Sequence, residues 1–372
     1  MDAIAPATAP ASASASTSGT AAVFCAIVPP HVLDRLAQAE DPAISGPARR
    51  TLEADSAQRT RRRLTTAVGP RVLTEPAGQD TSATGKPRRT IHDCEHGTAL
   101  PGEKVRGEGD PPTQDATVNR AYAGLGATFE LLLSAYGRDS LDGAGLPLTA
   151  SVHYDREYNN AFWDGDQMVF GDGDGEVFLD FTIPVDVIGH ELTHGLTQYT
   201  ANLAYYGQSG ALNESVSDVF GVLVKQFTLD QTADRADWLI GEGLLAPGVS
   251  GVALRSMKAP GTAYDDPALG KDPQPATMEG YVRTSRDNGG VHINSGIPNH
   301  AFYLFATQLG GKAWERAGQI WFDVLTGGEL EVDADFADFA RLTVAAARAR
   351  FGDAAELEAV TKAWSQVGVA TA

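Results

Sequence analysis

Residues 185–200 read Val-Asp-Val-Ile-Gly-His-Glu-Leu-Thr-His-Gly-Leu-Thr-Gln-Tyr-Thr. Pro184 stands just before them, and the pattern beyond it predicts a helix over the whole run. His190 and His194 are four residues apart, so their imidazoles share one helical face, one turn from each other, with Glu191 beside them. Two nitrogen ligands at that spacing suit zinc, and the neighbouring carboxylate is placed to take a proton from water. Two surface histidines on an amphipathic helix would share the spacing, and the residues downstream tell the two cases apart.

A catalytic zinc takes three protein ligands and leaves its fourth position open. Asn213-Glu214-Ser215-Val216-Ser217-Asp218 lies in the next helical block, 210–228, and offers Glu214, with 19 residues between it and His194. Asp218 falls one turn further along the same face, where it can accept the free ring N–H of a ligating histidine. Helical blocks follow at 296–309, 314–325, 336–351 and 355–367, and one lies upstream at 117–136. The stretch 148–181 alternates apolar runs with turn residues, among them Asn159-Asn160 and Gly171-Asp172-Gly173-Asp174-Gly175, and reads as strands and hairpins.

The 372 residues are 42% apolar and 21% charged, an ordinary globular composition with room for two or three domains. Nowhere do 18 apolar residues run together, so no spanning helix is expected. The two cysteines, Cys25 and Cys94, cannot build a disulfide framework. Net charge is −19 and divides unevenly, +3 over residues 1–90 and −22 over residues 91–372. A strongly acidic body argues against a nucleic-acid partner, and the opposite signs suggest that the two segments dock on each other.

Residues 1–22 are Ala/Ser/Thr/Pro-rich and are expected to be a disordered tail, without the basic and apolar regions of a secretion signal. A short apolar run, Val23 to Val28, ends at Pro29-Pro30, and a helix is expected over 31–39. A second helix, 48–64, carries Arg49, Arg50, Arg59, Arg61, Arg62 and Arg63, which read as a solvated basic face. The polar Pro/Gly-rich stretch 69–89 reads as an exposed linker open to proteolysis.

From about Thr90 to the C-terminus the chain resembles the thermolysin family of zinc metallopeptidases. The resemblance implies an α+β fold, with a β-rich N-terminal lobe over 89–200 that ends in the zinc helix, a helical C-terminal lobe over 201–372, and a cleft between them. It implies His190, His194 and Glu214 as zinc ligands, Glu191 as general base, and Asn213 and Asp218 as their supports. Asp287-Asn288-Gly289-Gly290-Val291-His292 resembles the segment whose histidine stabilises the transition state, with Asp287 orienting His292, and Tyr205 resembles its partner tyrosine. Asn160 and Ala161 match the edge strand that pairs with extended peptide, and Arg255 matches the arginine that binds a substrate carbonyl. Phe178, Phe181, Val187 and Leu254 fall where the family lines an apolar primed-side pocket. The implied activity is a neutral endopeptidase cutting on the N-terminal side of large apolar residues. The alternatives are a zinc aminopeptidase and a catalytically silent zinc-stabilised module.

The chain departs from that family in two respects. Where the family binds calcium, Lys225 and Val252 replace carboxylates, and Asp186 can pair with the Lys225 ammonium, so calcium is not expected. The segment 23–88 resembles the short propeptides of the protealysin group and is expected to be an intramolecular inhibitor. The family implies a secreted protein, with a cytoplasmic one as the alternative, and no membrane partner. Cys25 reads as a small buried hydrophobe, with a zinc-blocking thiolate or a disulfide to Cys94 as less favoured readings. His92, Cys94, Glu95 and His96 form a weaker candidate for a second metal cluster.

Overall fold

The computed structural model describes residues 25–67 and 85–371, without the side chains of 59–67. The tail at 1–22 and most of the 69–89 linker therefore lie outside the described residues. Six strands form the main sheet: β1 (Cys25–Ala26), β2 (Arg89–Asp93), β3 (Glu103–Gly107), β4 (Leu148–Val152), β5 (Ala161–Trp163) and β6 (Met168–Phe170). Their order across the sheet is β1-β5-β6-β4-β2-β3. The β2/β4 and β4/β6 pairs are parallel and the others antiparallel. All residues of β5 and β6 are buried, which fits strands covered on both faces.

The expected alternation of hairpins holds for β5 and β6 only. After Phe170 the chain leaves the sheet through 171–175 and folds back as a loop, the Gly175 N–H donating to the Phe178 carbonyl and the Phe181 N–H to the Gly171 carbonyl, without adding a strand to the sheet. Asp174 shapes that loop by accepting the backbone N–H groups of Glu176, Val177 and Phe178. Gly173 has φ +73°, and a Cβ there would meet the Phe178 carbonyl oxygen at 2.3 Å, so the close turn requires glycine.

Helix α1 spans Pro30–Leu36 and α2 spans Pro42–Ala67. The second starts six residues before its expected position because Pro47 does not stop it. In the second turn a proline removes a single hydrogen bond, which packing of the helix on the body offsets. Helix α3 (Ala116–Tyr136) begins with Asp115 accepting the N–H groups of Thr117 and Val118, and ends at Gly137 in the left-handed conformation.

Two helices carry the centre of the molecule, α4 (Val185–Gln198) and α5 (Gly207–Thr228), and both are almost wholly buried. They cross at a pair of glycines. A Cβ on Gly189 would lie 3.1 Å from Gly221 Cα, and one on Gly221 would strike the Asp186 carbonyl oxygen at 2.5 Å. The missing side chains let the two backbones approach closely enough for short side chains of α5 to reach the histidines of α4.

The short strands β7 (Leu239–Ile240) and β8 (Arg255–Ser256) form a separate two-stranded ribbon. Five helices complete the chain: α6 (Asp287–Asn294), α7 (Gly296–Leu309), α8 (Ala317–Thr326), α9 (Phe336–Phe351) and α10 (Ala355–Gln366). Trp321 and Trp364 stack at 5.9 Å within their core. The architecture is α+β, with the strands in the N-terminal part and the helices in the C-terminal part. No helix among the described residues is long and apolar enough to cross a membrane.

Candidate active site

Helix α4 presents His190 and His194 toward α5, and both are buried. His190 Nδ1 donates to Asp218 Oδ1 at 2.8 Å and His194 Nδ1 donates to the Asn213 side-chain oxygen at 2.8 Å. With the protons on Nδ1, each Nε2 carries a lone pair, yet the two Nε2 atoms face each other at 3.1 Å. Two acceptors at that distance call for a cation between them. Glu214 adds its carboxylate, with Oε2 3.5 Å from His190 Nε2 and Oε1 3.6 Å from His194 Nε2. Ligands on a tetrahedral zinc stand roughly 3.3–3.6 Å apart, so the three groups fit the ion. Glu214 Oε2 is moreover buried with no hydrogen-bond partner. Burial would raise the Glu214 carboxyl, but the imidazoles around it, His292 foremost, outweigh burial and hold it below the usual range.

Glu191, fully buried, accepts the Trp163 N–H on Oε2 at 3.0 Å, while Oε1 has no hydrogen-bond partner. Burial, followed by the charge of Glu214, pushes its carboxyl well above the usual value. A raised pKa makes this carboxylate, once ionised, a stronger base than a free glutamate.

The loop entering α6 brings a second set of donors. Asp287 Oδ1 accepts from His292 Nδ1 at 2.6 Å and its Oδ2 accepts the His292 N–H at 3.0 Å. Asn288, Gly289 and Gly290 all adopt left-handed backbone angles, which folds Asp287 back onto His292. Burial opposes charge on His292, but Asp287 and Glu214 override it and lift the imidazole to about 9. Tyr205 donates to Glu214 and lies 3.2 Å from His292 Nε2.

Arg255, on β8, is 2% exposed and is held by Asp218 through Nε at 2.9 Å and Nη2 at 2.8 Å. Asn299 Nδ2 also donates to Asp218, at 2.8 Å. One carboxylate thus fixes a histidine, an arginine and an amide. Phe178, Phe181, Val187 and Leu254 are buried in the main apolar cluster, which also contains Ile27 and Val28.

Strand β1 lies in this cleft against β5, with Cys25 opposite Trp163 and Ala26 opposite Phe162. The Ala26 carbonyl faces His292 Nε2 at 3.2 Å, the Ile27 N–H donates to the Ala161 carbonyl at 3.1 Å, and the Ile27 carbonyl accepts from Arg255 Nη1 at 3.1 Å. Val28 N donates to the Asn160 side-chain oxygen at 2.9 Å. Behind it, Asp55 of α2 accepts from the Tyr158 hydroxyl and from Asn160 Nδ2, the latter at 3.2 Å. Residues 25–28 occupy the groups expected to hold extended peptide.

Comparison with known proteins now has a site to refer to. Residues 79–198 match the model of the thermolysin metallopeptidase catalytic domain, and residues 201–369 match that of the thermolysin metallopeptidase alpha-helical domain. The chain belongs to the thermolysin family. It is 49% identical to an extracellular metalloprotease of Pectobacterium carotovorum subsp. carotovorum over 93% of this chain and 96% of that protein. It is 40% identical to a thermolysin of Alicyclobacillus acidocaldarius subsp. acidocaldarius over 75% of this chain and 50% of that one. The structure of the precursor of protealysin, a metalloproteinase from Serratia proteamaculans, superposes with a TM-score of 0.84 at 54% identity, covering 93% of this chain and all of that one. This thermolysin-family chain is a zinc metalloendopeptidase.

The structure brings His190, Glu191, His194, Tyr205, Asn213, Glu214, Asp218, Arg255, Asp287 and His292 into one hydrogen-bonded cluster with Asn160 and Ala161 against β1, while Phe178, Phe181, Val187 and Leu254 lie in the main apolar cluster. Asn299, Asp55, Ser217 and Gln274 escaped notice because an isolated polar residue in a helix or loop carries no spacing signal. Ser217 Oγ approaches His194 Nδ1 at 3.1 Å, and Gln274 Nε2 donates to the His292 carbonyl at 2.8 Å. Two weaker expectations fail. Neither cysteine is in a disulfide. The His92, Cys94, Glu95 and His96 ligand atoms do not converge, since the metal-competent groups among the described residues are His190/Glu191/His194 and Cys25/His194/Glu214. Of the basic face, Arg49 and Arg50 are exposed, Arg49 donating to the Ala37 carbonyl and Arg50 pairing with Glu157, while Arg59, Arg61, Arg62 and Arg63 lie outside the residues whose side chains are described.

Proposed function

We propose that the protein is an autoinhibited neutral endopeptidase that cuts on the N-terminal side of large apolar residues. The observation that carries the zinc site is the convergence of two Nε2 lone pairs and the unpartnered Glu214 oxygen on one point. His190, His194 and Glu214 would hold zinc, which would supply a Lewis acid for the scissile carbonyl and a water of lowered pKa. Glu191 takes the proton from water and returns it to the departing amine. His292, kept protonated by Asp287, and Tyr205 donate to the carbonyl oxygen as charge develops there, each worth roughly 3 kcal/mol in comparable sites. Asn160 and Ala161 grip the substrate backbone, and Arg255 holds the carbonyl after the cut. Phe178, Phe181, Val187 and Leu254 accept the apolar side chain, and Ile27 in the same apolar cluster supports that preference.

Residues 23–88 act as prosegment and linker, 89–200 as the N-terminal lobe and 201–372 as the C-terminal lobe. The placement of β1 on β5, with Arg255 and His292 engaged by its carbonyls, supports the inhibitory reading. The names of the relatives support release outside the cell. Lys225 supports a fold that needs no calcium. The test is to compare peptide cleavage by the 372-residue chain, held uncut, with that by a chain starting at residue 89. A latent longer chain and an active, chelator-sensitive shorter one are expected, with cleavage before Leu, Ile or Phe. Equal activity would remove the inhibitory role, and cleavage indifferent to chelation would remove the metal mechanism.

A further inference from the structure

Strand β1 delivers one side chain that the peptidase mechanism does not use. Cys25 is 4% exposed and packs with Tyr205 and Val291 at the mouth of the metal trio. Its sulfur and the ligand atoms of His194 and Glu214 all lie within 4.8 Å of one another. A small hydrophobe would explain the burial but not the company. Glu214 Oε2 is buried beside it without a hydrogen-bond partner, and both histidine Nε2 atoms carry lone pairs. Cys94 has its sulfur against the Ala99 and Pro101 carbonyls and is not among the metal-competent groups of the described residues.

We propose that in the 372-residue chain the Cys25 thiolate is the fourth ligand of the zinc held by His190, His194 and Glu214. The proposal rests on the zinc site and prosegment argued above, and adds that the prosegment closes the metal's open position as well as covering the cleft. A zinc with four protein ligands is the arrangement of structural sites, whereas hydrolysis needs a position for water. Geometry favours the thiolate, since pairing of β1 with β5 and the contacts of Ala26 and Ile27 tether the sulfur beside the metal at high effective concentration. Release of residues 25–28 from β5 removes the tether and returns the position to water.

The same contact would protect a peptide bond lying among the reacting groups. The Ala26 carbonyl is 3.2 Å from His292 Nε2, and the Ile27 carbonyl accepts from Arg255 Nη1 at 3.1 Å. With Cys25 on the metal, no water is activated next to that bond.

The experiment uses the 372-residue chain as Glu191→Gln, which prevents self-cleavage, loaded with Co²⁺ in place of zinc. A near-ultraviolet thiolate-to-cobalt charge-transfer band is expected. It should persist when Cys94→Ser is added, vanish when Cys25→Ser is added, and be absent from the chain starting at residue 89. X-ray absorption of the zinc-loaded chain should find one sulfur at about 2.3 Å. Stoichiometric metal without sulfur would overturn the Cys25 assignment and leave the zinc site standing. A band that survives Cys25→Ser would also overturn it. Failure to take up either metal would instead sink the zinc site itself. Should Cys25→Ser bind no cobalt, the absorption spectrum of the chain with Cys25 intact decides.

Discussion

Arg255 Nη1 donates to the Ile27 carbonyl at 3.1 Å while its Nε and Nη2 are held by Asp218. The arginine that grips β1 and the histidine poised for the metal are therefore fixed by the same carboxylate, because His190 Nδ1 donates to Asp218 as well. Asp218→Asn keeps the shape and removes the charge that holds both. Zinc affinity should fall roughly 10- to 100-fold, read as zinc lost to a competing chelator. Peptide cleavage by the chain starting at residue 89 should fall with it. Unchanged zinc retention would contradict the coupling.

Glu191→Gln should retain stoichiometric zinc, because His190, His194 and Glu214 are untouched, while turnover drops by at least about 10³-fold. Metal analysis and a peptide assay on the same sample check both halves. Cleavage near the unmutated rate would remove Glu191 from the role of base.

His31 follows Pro29-Pro30 into the cleft, and neither ring nitrogen has a hydrogen-bond partner. Burial lowers its imidazole to about 4; Asp287 and Asp34 pull the other way, while His292 and Arg255 add to the lowering. If residues 25–67 are the proposed prosegment, its docked form binds fewer protons than its released form, whose histidine titrates near ~6.5. Docking is at full strength above that value and weakens as pH falls toward about 4, by up to roughly 30-fold at pH 5. The activity of the 372-residue chain relative to that of the chain starting at residue 89 should rise between about pH 7 and pH 5. His31→Leu should flatten the ratio. A ratio indifferent to pH in the unmutated chain would refute the claim.

The zinc site was legible in the sequence because a helix repeats every 3.6 residues, so His190, His194, Glu214 and Asp218 announce their faces by spacing alone. The prosegment contact was not. Opposite net charges suggested docking, yet the observed interface relies on backbone pairing of β1 and on the buried Asp55 under Tyr158 and Asn160. A two-residue strand carries no periodicity, and the buried carboxylate sits in a helix that reads as basic. Helix α6 was missed for a related reason: Asn288, Gly289 and Gly290 break its pattern with left-handed angles that exist to fold Asp287 onto His292.

Lys225 Nζ lies 2.6 Å from Asp237, 3.1 Å from Glu242 and 3.4 Å from Asp186. Burial acts against the ammonium, and the three carboxylates outweigh it, raising Lys225 above its ordinary value. Asp186 also accepts the Gly241 N–H at 2.8 Å, so the start of α4 is tied to this cluster. An ammonium at the centre of three carboxylates occupies the place that a calcium ion would need, and a covalently fixed cation cannot respond to calcium by mass action. Millimolar Ca²⁺ added to the zinc-loaded protein should leave the melting temperature within about 1 °C. Lys225→Glu turns the cluster into four carboxylates whose mutual repulsion an ion can relieve. That variant should melt lower without calcium and recover with it, since saturation at 100 times Kd contributes about 2.7 kcal/mol. A rise of many degrees for the unmutated protein would refute the substitution of lysine for calcium.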